Sequence, residues 1–213
     1  MNRFMYVLSN LLLCAVSVFA QQGYQKATEA QEKEIIEKVK QASSRMKTMQ
    51  CDFTQVKELS FMDEKISLEG KMFYKQTDKI RWEYTKPYTY VFAMDGKDIH
   101  LNPGNNATKM PIKSSKLFGE ISNVMIGGVN GNGLIDSPDF TTQFGIGKDD
   151  YLITLTPLKK EVKDLFASIQ LHINKTDSRI NIVELVEKGG DKTTIQLKNV
   201  QLNPTINDEI FSH

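Results

Sequence analysis

The stretch that decides the fold is residues 80 to 87, Ile-Arg-Trp-Glu-Tyr-Thr-Lys-Pro. Its apolar and charged side chains alternate without a break, which is the period of a β-strand. One face of this strand carries Ile80, Trp82 and Tyr84, and the opposite face carries Arg81 and Glu83. Residues 65 to 75 alternate in the same way. Together the two stretches predict an antiparallel sheet with one apolar face and one solvated face.

Alternating segments of this kind fill most of the chain on both sides of these residues. The predicted strands lie at about 51–58, 65–75, 79–85, 88–94, 97–102, 139–146, 151–157, 166–174, 179–187 and 192–202. Short polar turns join several neighbours, so the strands should pair antiparallel. A flat sheet of about ten strands tends to curl or split. We therefore expect a mainly β fold with some helix, built as an unclosed, strongly curved antiparallel β-barrel.

A helical period appears first near the N-terminus. Thr28-Glu29-Ala30-Gln31 has the form of a capping box, and apolar residues that include Ile35 and Val39 then recur every three or four positions. This pattern predicts an amphipathic helix at 29–48. We expect its apolar side to pack on the sheet, and a lid over a pocket is the functional interpretation of the same packing.

A second helix is predicted at 114–125, inserted between strands. Leu117 and Ile121 lie on one apolar face of this segment, and Met125 lies beside that face. A glycine-rich run at 127–133 follows it, and we expect this run to be flexible. The inserted helix would then be the second part of a lid over an apolar cavity.

The composition limits the classes of function. The 213 residues contain 27 Lys and Arg against 26 Asp and Glu, so the charge balance indicates no nucleic-acid partner. No run reaches the ~18 apolar residues that a spanning helix requires. The 40% hydrophobic content is ordinary for a globular protein.

Residues 1–20 form a predicted signal peptide. Arg3 precedes an apolar stretch, and the sequence Val18-Phe19-Ala20 suits cleavage after Ala20. Export to the periplasm and a single domain at 21–213 follow from this prediction. Cys14 leaves a lipid-anchored form open as an alternative, although Leu13 is larger than the residue that lipoprotein processing prefers before the cysteine.

Residue patterns for catalysis are missing from the sequence. His100, His172 and His213 are far apart and have no acidic or cysteine cluster beside them, so we expect no metal site and no cofactor. Neither a Gly-x-Ser-x-Gly nor a His-Glu-x-x-His motif occurs. We therefore expect a binding protein that is not an enzyme. A hydrolase that processes acyl groups is the weaker alternative.

Large apolar side chains instead concentrate on the inner face of the predicted sheet. The residues expected to contact a ligand are Leu68, Met72, Tyr74, Ile80, Trp82, Tyr84, Tyr90 and Phe92. The residues expected to form the lid are Ile35, Val39, Leu117, Ile121 and Met125. Their composition alone favours an ordinary hydrophobic core over a binding cavity.

Several short motifs occur in an order that resembles a known family. They are Phe53-Thr54-Gln55, Glu69-Gly70 followed by Phe73-Tyr74-Lys75, Arg81-Trp82-Glu83-Tyr84, Pro87, and Asp95-Gly96-Lys97. This order and spacing resemble the periplasmic outer-membrane lipoprotein carriers, the LolA-like proteins. The resemblance implies an unclosed barrel with a helical lid, no cofactor and no covalent step. It also implies that the apolar residues above shield the acyl chains of a lipoprotein.

The same resemblance implies the partners. A carrier of this family receives acylated lipoproteins from an inner-membrane lipoprotein-releasing transporter and moves them to the outer membrane as a monomer. The identity of the acceptor there stays open. Gln76 and Thr77 stand where family members often have Arg-Pro, which leaves the way in which the lid is held closed open as well. The alternative function is a periplasmic sensor or interaction domain that binds a lipid or a peptide.

Overall fold

The computed structural model describes residues 23–101, 108–114, 116–131 and 133–212. The predicted signal peptide lies outside these ranges, so its cleavage stays a prediction. Leu117 and Ile121 lie on a described helix, but their side chains are outside the described part of the chain.

The strands form one antiparallel sheet. They are β1 Gln25–Lys26, β2 Thr48–Glu58, β3 Lys65–Lys75, β4 Lys79–Lys86, β5 Tyr90–Asp95, β6 Asp98–Leu101, β7 Thr108–Pro111, β8 Phe140–Ile146, β9 Asp150–Pro157, β10 Phe166–Asn174, β11 Ile180–Glu187 and β12 Lys192–Leu202. The sheet has twelve strands in the order β1-β8-β9-β10-β11-β12-β2-β3-β4-β5-β6-β7. Because β1 and β7 are both edges, the barrel is unclosed, and the predicted fold class is confirmed.

Ten of these strands were predicted within a few residues of their observed bounds. The two additional strands, β1 and β7, contain two and four residues. Strands of that length are too short to show an alternating pattern, which explains why sequence reasoning missed them.

The register places the apolar side chains of the central strands on one face. Met72 of β3 pairs with Trp82 of β4, and Trp82 pairs with Phe92 of β5. Gly70 is required in this part of the sheet, because a Cβ atom there would lie 2.1 Å from the carbonyl oxygen of Glu83 and 2.6 Å from the ring of Phe53. The glycine therefore allows the Phe53 ring to lie directly over the backbone of β3.

The N-terminal helix, α1, spans Glu29–Arg45. It begins with the predicted capping box, in which the Thr28 hydroxyl accepts from the Gln31 amide and the Gln31 side chain accepts from the Thr28 amide. The helix ends three residues earlier than predicted, because Thr48 already belongs to β2.

The inserted helix, α2, spans Lys116–Asn130, and a short helix, α3, spans Lys160–Lys163. The prediction of a flexible glycine run from residue 127 was wrong in its first part, since α2 continues through Gly127 and Gly128. Gly127 packs closely against Leu134, whose Cγ would lie 2.3 Å from an added Cβ atom. Gly131 and Gly133 have positive φ angles of 72° and 73° and lie where the chain leaves the helix.

The hydrophobic core has two parts. The first lies between α1 and strands β8 to β11 and contains Ile35 and Val39. The second lies between α2 and strands β2 to β6 and contains Met72, Tyr74 and Ile80. α1 therefore covers the first part, while α2 lies over the second part and also contributes Val124 to the first.

The outer face of β4 and β5 is also partly covered. The C-terminal segment crosses it and buries Phe211 completely, with 0% of its surface exposed. Arg81 donates a hydrogen bond to the carbonyl oxygen of Ile210 at 2.9 Å and to the Glu83 carboxylate at 3.1 Å. Arg81 and Glu83 thus lie on the face opposite Trp82, as predicted, but protein covers much of Arg81 where we expected solvent.

Candidate functional site

An apolar cavity of about 490 Å³ lies between α2 and the inner face of the sheet. Two walls of strands and one helix enclose it. Its lining consists of Gln55, Lys57, Trp82, Tyr84, Tyr90, Phe92, Val124, Met125, Gly128, Val129, Phe166, Val183, Leu185, Glu187, Thr193, Ile195 and Leu197. The size and the largely apolar lining are those of a ligand-binding cavity.

The cavity has a closed end and an open end. Trp82, Val129 and Leu197 at the closed end are each less than 8% exposed. Lys57 and Glu187 at the other end are half-buried and lie near the ends of β2 and β11. The antiparallel order brings the turns β2–β3, β4–β5 and β11–β12 to this same end of the sheet. A chain-like ligand would therefore enter between these turns.

Five of the residues expected to contact a ligand or form the lid do line the cavity: Trp82, Tyr84, Tyr90, Phe92 and Met125. Ring contacts through Phe53 link three of them, Trp82, Tyr84 and Tyr90. The ring centroids of Phe53 and Trp82 are 4.5 Å apart, and those of Tyr84 and Tyr90 are 6.3 Å apart.

The remaining expected residues lie elsewhere. Met72 and Ile80 are 0% exposed and pack in the core beneath α2. Leu68 is buried but belongs to neither core cluster. Ile35 and Val39 pack under α1, away from this cavity. A period of two assigns a residue to a face, but its depth depends on which helix lies above it.

One wall of the cavity was missed by sequence reasoning. Phe166 of β10, Val183 and Leu185 of β11, and Ile195 of β12 face the aromatic side chains across the opening. These segments were predicted as strands, and the alternation of Val183 with Leu185 was a readable signal. Their position opposite β4 follows only from the order of strands in the sheet.

The polar groups at the cavity are largely paired with one another. The Tyr84 hydroxyl donates to Gln55 Oε1 at 3.0 Å, and burial raises the pKa of Tyr84 to about 12. Lys57 Nζ lies 2.8 Å from Glu187 Oε1 and 3.7 Å from Asp191 Oδ2. Within the part of the chain that the structure describes, Trp82 Nε1 is buried without a hydrogen-bond partner.

The end of α2 is fastened to the sheet by one buried hydrogen bond. Asn130 Nδ2 donates to the Tyr74 hydroxyl at 2.9 Å. At the other end of the helix, Glu120 lies 2.9 Å from Lys159, which also pairs with Asp139 at 2.8 Å. These hydrogen bonds, to Asp139 first and then to Glu120, raise the pKa of Lys159 to about 12.

A second group of titratable residues lies on the outer face of β5 and β6 and consists of Asp95, Asp98 and His100. The oxygen and nitrogen atoms of these side chains that could bind a metal ion lie within 4.8 Å of one another. Asp95 accepts the backbone amides of Lys97 and Asp98 and contacts His100 Nε2 at 2.9 Å. Asp98 pairs with Lys109 at 3.0 Å. The expectation that no acidic cluster lies beside His100 was therefore wrong, but these contacts fix the turn between the two strands and explain the group by its structural role.

Comparison with known proteins identifies the family. The family model described as outer membrane lipoprotein carrier protein LolA matches residues 44–213 of the chain. The chain belongs to the LolA family. The resemblance inferred from the motifs between Phe53 and Lys97 is thereby confirmed. In the described residues, no helix of this LolA-family chain is long and apolar enough to cross a membrane.

Individual relatives of this LolA-family chain are distant. It is 23% identical over 145 residues to an outer-membrane lipoprotein carrier protein of Chromohalobacter salexigens. The aligned residues cover 68% of this chain and 65% of that protein. The chain thus spans slightly less than two thirds of that relative. A conserved protein of Thermus thermophilus shares the fold, with a TM-score of 0.52, 12% identity, and coverage of 86% of this chain and 93% of that one. A LolA superfamily protein of Nitrosomonas europaea has a TM-score of 0.46, 14% identity, and coverage of 85% and 97%.

Proposed function

We propose that this protein is a periplasmic carrier that shields the acyl chains of lipoproteins and moves them from the inner to the outer membrane. The observation that carries the proposal is the apolar cavity, open at one end, in a chain of the LolA family. The task is binding and release, and no covalent step belongs to it.

The energetics of acyl chains require such a cavity. A chain of about 16 carbons costs roughly 12 kcal/mol to expose to water, at ~0.8 kcal/mol for each methylene group. Free diffusion of an acylated protein between membranes is then negligible. The carrier must remove most of this cost and still release its cargo, so its own apolar surfaces must also be covered when it is empty.

The volume of the cavity suits one acyl chain. If each methylene group takes the ~30 Å³ of a water molecule in the liquid, a cavity of 490 Å³ holds about 16 groups. A second or third chain requires a displacement of α2. Val129 of α2 packs in the same cluster as Met72, Tyr74 and Ile80, so its displacement would add these three residues to the binding surface.

We therefore assign the lid to α2, whose Met125 lines the cavity. Leu117 and Ile121 of the same helix are proposed to belong to the lid. The hydrogen bond between Asn130 and Tyr74 is the contact that holds its C-terminal end closed. In this proposal, the hydrogen bond takes over the closing role of the charged residue that is absent at the position of Gln76. α1 is proposed to be a fixed support, because Ile35 and Val39 are buried in the core and do not line the cavity.

The proposal includes export by the signal peptide 1–20, a monomeric carrier at 21–213, acquisition of cargo from a lipoprotein-releasing transporter, and delivery to an acceptor at the outer membrane. The deciding experiment measures transfer of a purified lipoprotein from inner-membrane vesicles to outer-membrane vesicles, with and without the protein. We expect transfer to depend on its concentration. A protein that binds the lipoprotein but never delivers it would instead be a sensor or interaction domain, and one that binds no acyl chain would contradict the proposal.

A further inference from the structure

The open end of the cavity carries an unbalanced set of charges. Lys57 contacts two carboxylates, Glu187 at 2.8 Å and Asp191 at 3.7 Å. The side chains are 31%, 35% and 17% exposed, respectively, so water screens them only in part. The amide of Ser60 donates to Asp191 at 2.9 Å and lowers the pKa of this carboxyl, which keeps it ionised at neutral pH. The three groups together leave one negative charge at the opening.

Several basic side chains near the opening are paired with other acids, including Lys188 in the turn between β11 and β12, which lies 3.9 Å from Asp164. Lys65 is paired with Glu58 at 2.9 Å, and Lys86 is paired with Glu69 at 2.9 Å. The turn between β2 and β3 adds two further acidic residues at 63 and 64. The negative sign of the opening therefore extends onto its rim.

A ligand must place its head group at this opening. Trp82, Val129 and Leu197 are buried at the closed end, so an acyl chain that enters between the turns enters tail first. The polar side chains deeper in the lining include Gln55 and Tyr84, which are paired with each other, and Trp82, and none of them is a charged residue. The head group then stops beside Lys57, Glu187 and Asp191.

We propose that Glu187 and Asp191 make the opening selective for acyl chains with an uncharged head, such as the amide-linked or ester-linked chains of an acylated peptide, and exclude lipids with an anionic head. The inference rests on the proposed function and names its ligand class. An amide or ester carbonyl can accept from Lys57, whereas a phosphate or carboxylate approaches a site whose ammonium is already neutralised. A carrier that removes lipoproteins from a bilayer meets far more phospholipid than cargo, so this repulsion would keep the cavity available.

The test compares three ligands with the same 16-carbon tail: hexadecanoyl-glycinamide, hexadecanoate and hexadecyl phosphate. Each displaces a fluorescent uncharged acyl probe from the mature protein at low ionic strength. We expect the amide to bind at least about ten-fold more tightly than the phosphate, a ratio that corresponds to ~1.4 kcal/mol. The ratio should shrink in 0.5 M NaCl, because salt screens partly exposed charges.

Variants assign the effect to the residues at the opening. Glu187→Gln together with Asp191→Asn leaves Lys57 unneutralised and should reverse the preference toward the phosphate, while Lys57→Gln should increase the preference for the amide. Glu34→Gln is the control, since this acid is paired with Lys38 at 2.6 Å on α1, which does not line the cavity, and it should change nothing. Equal binding of all three ligands, or a preference that none of the variants alters, would overturn the selectivity and leave the acyl cavity standing. Absence of binding by every ligand would overturn the proposed function as well.

Discussion

The substitution Gly128→Leu separates a ligand cavity from an ordinary core, because the two predict opposite changes in stability and binding. Gly128 lies on α2 and lines the cavity. A Cβ atom there would meet only Val183, at 3.8 Å, which is ordinary van der Waals contact. The rest of a leucine side chain would extend into the cavity.

The expected gain in stability comes from the helix. Glycine in a helix is ~0.8 kcal/mol less favourable than residues such as leucine, and burial of the new side chain in an empty cavity adds to this. A gain of about 1 kcal/mol corresponds to a rise in Tm of about 2–4 °C for a protein of this size. Differential scanning calorimetry of the mature protein measures the change.

The expected loss in binding comes from the volume that leucine occupies. Its four carbon atoms, at ~30 Å³ each, fill about a quarter of the 490 Å³ cavity. When the fatty acids are tested as their uncharged amides, the 16-carbon chain then leaves about four methylene groups unburied, which costs about 3 kcal/mol or more than a hundred-fold in Kd. A 10-carbon fatty acid needs less space and should bind nearly as before. Displacement of a fluorescent acyl probe by the two fatty acids gives both values.

Gly119→Leu is the matched control on the same helix. A Cβ atom at Gly119 would have no heavy atom of the described residues within 4 Å, and this position does not line the cavity. It should show the gain in helix stability without the loss in binding. A fall in the Tm of Gly128→Leu, or an equal loss of affinity for both fatty acids, would refute the assignment of this space as the acyl-chain site.

Two further predictions concern stability. Gly127→Ala, one position from Gly128, should destabilise the protein by about 1–3 kcal/mol in urea unfolding, because the new Cβ would lie 2.3 Å from Leu134 Cγ. An unchanged urea midpoint would contradict the close packing. Burial lowers the pKa of His172, but the carboxylates of Glu184 and Asp150 outweigh it and raise the pKa above its usual value. The stability that protonated His172 contributes is complete below the unfolded pKa of ~6.5 and is lost as the pH rises through the folded value. The unfolding free energy should therefore fall from pH 6.5 to 8.5. The fall should be larger in the unmodified protein than in His172→Gln.

The sequence by itself determined the faces of the strands. The alternation around Trp82 places this side chain inside and Arg81 outside, because successive residues of a strand point to opposite sides. It also fixed the start of α1, since the capping box at Thr28 is a local arrangement of side chain and backbone. Both conclusions depend only on neighbouring residues, which is why they needed no tertiary structure.

Only the tertiary structure decided how deeply each residue is buried and which residues face one another across the cavity. Ile80 and Tyr84 lie on the same face of one strand, yet Ile80 is completely buried in the core and Tyr84 lines the cavity, because α2 covers one and leaves space beside the other. Continuation of α2 through Gly127 is likewise set by its contact with Leu134 and runs against the preference of glycine. The wall at Val183 lies about a hundred residues from Trp82 in sequence and meets it across the opening through the order of the strands. A pattern of period two carries no information about such long-range pairing, and the cavity exists only where that pairing brings the two walls together.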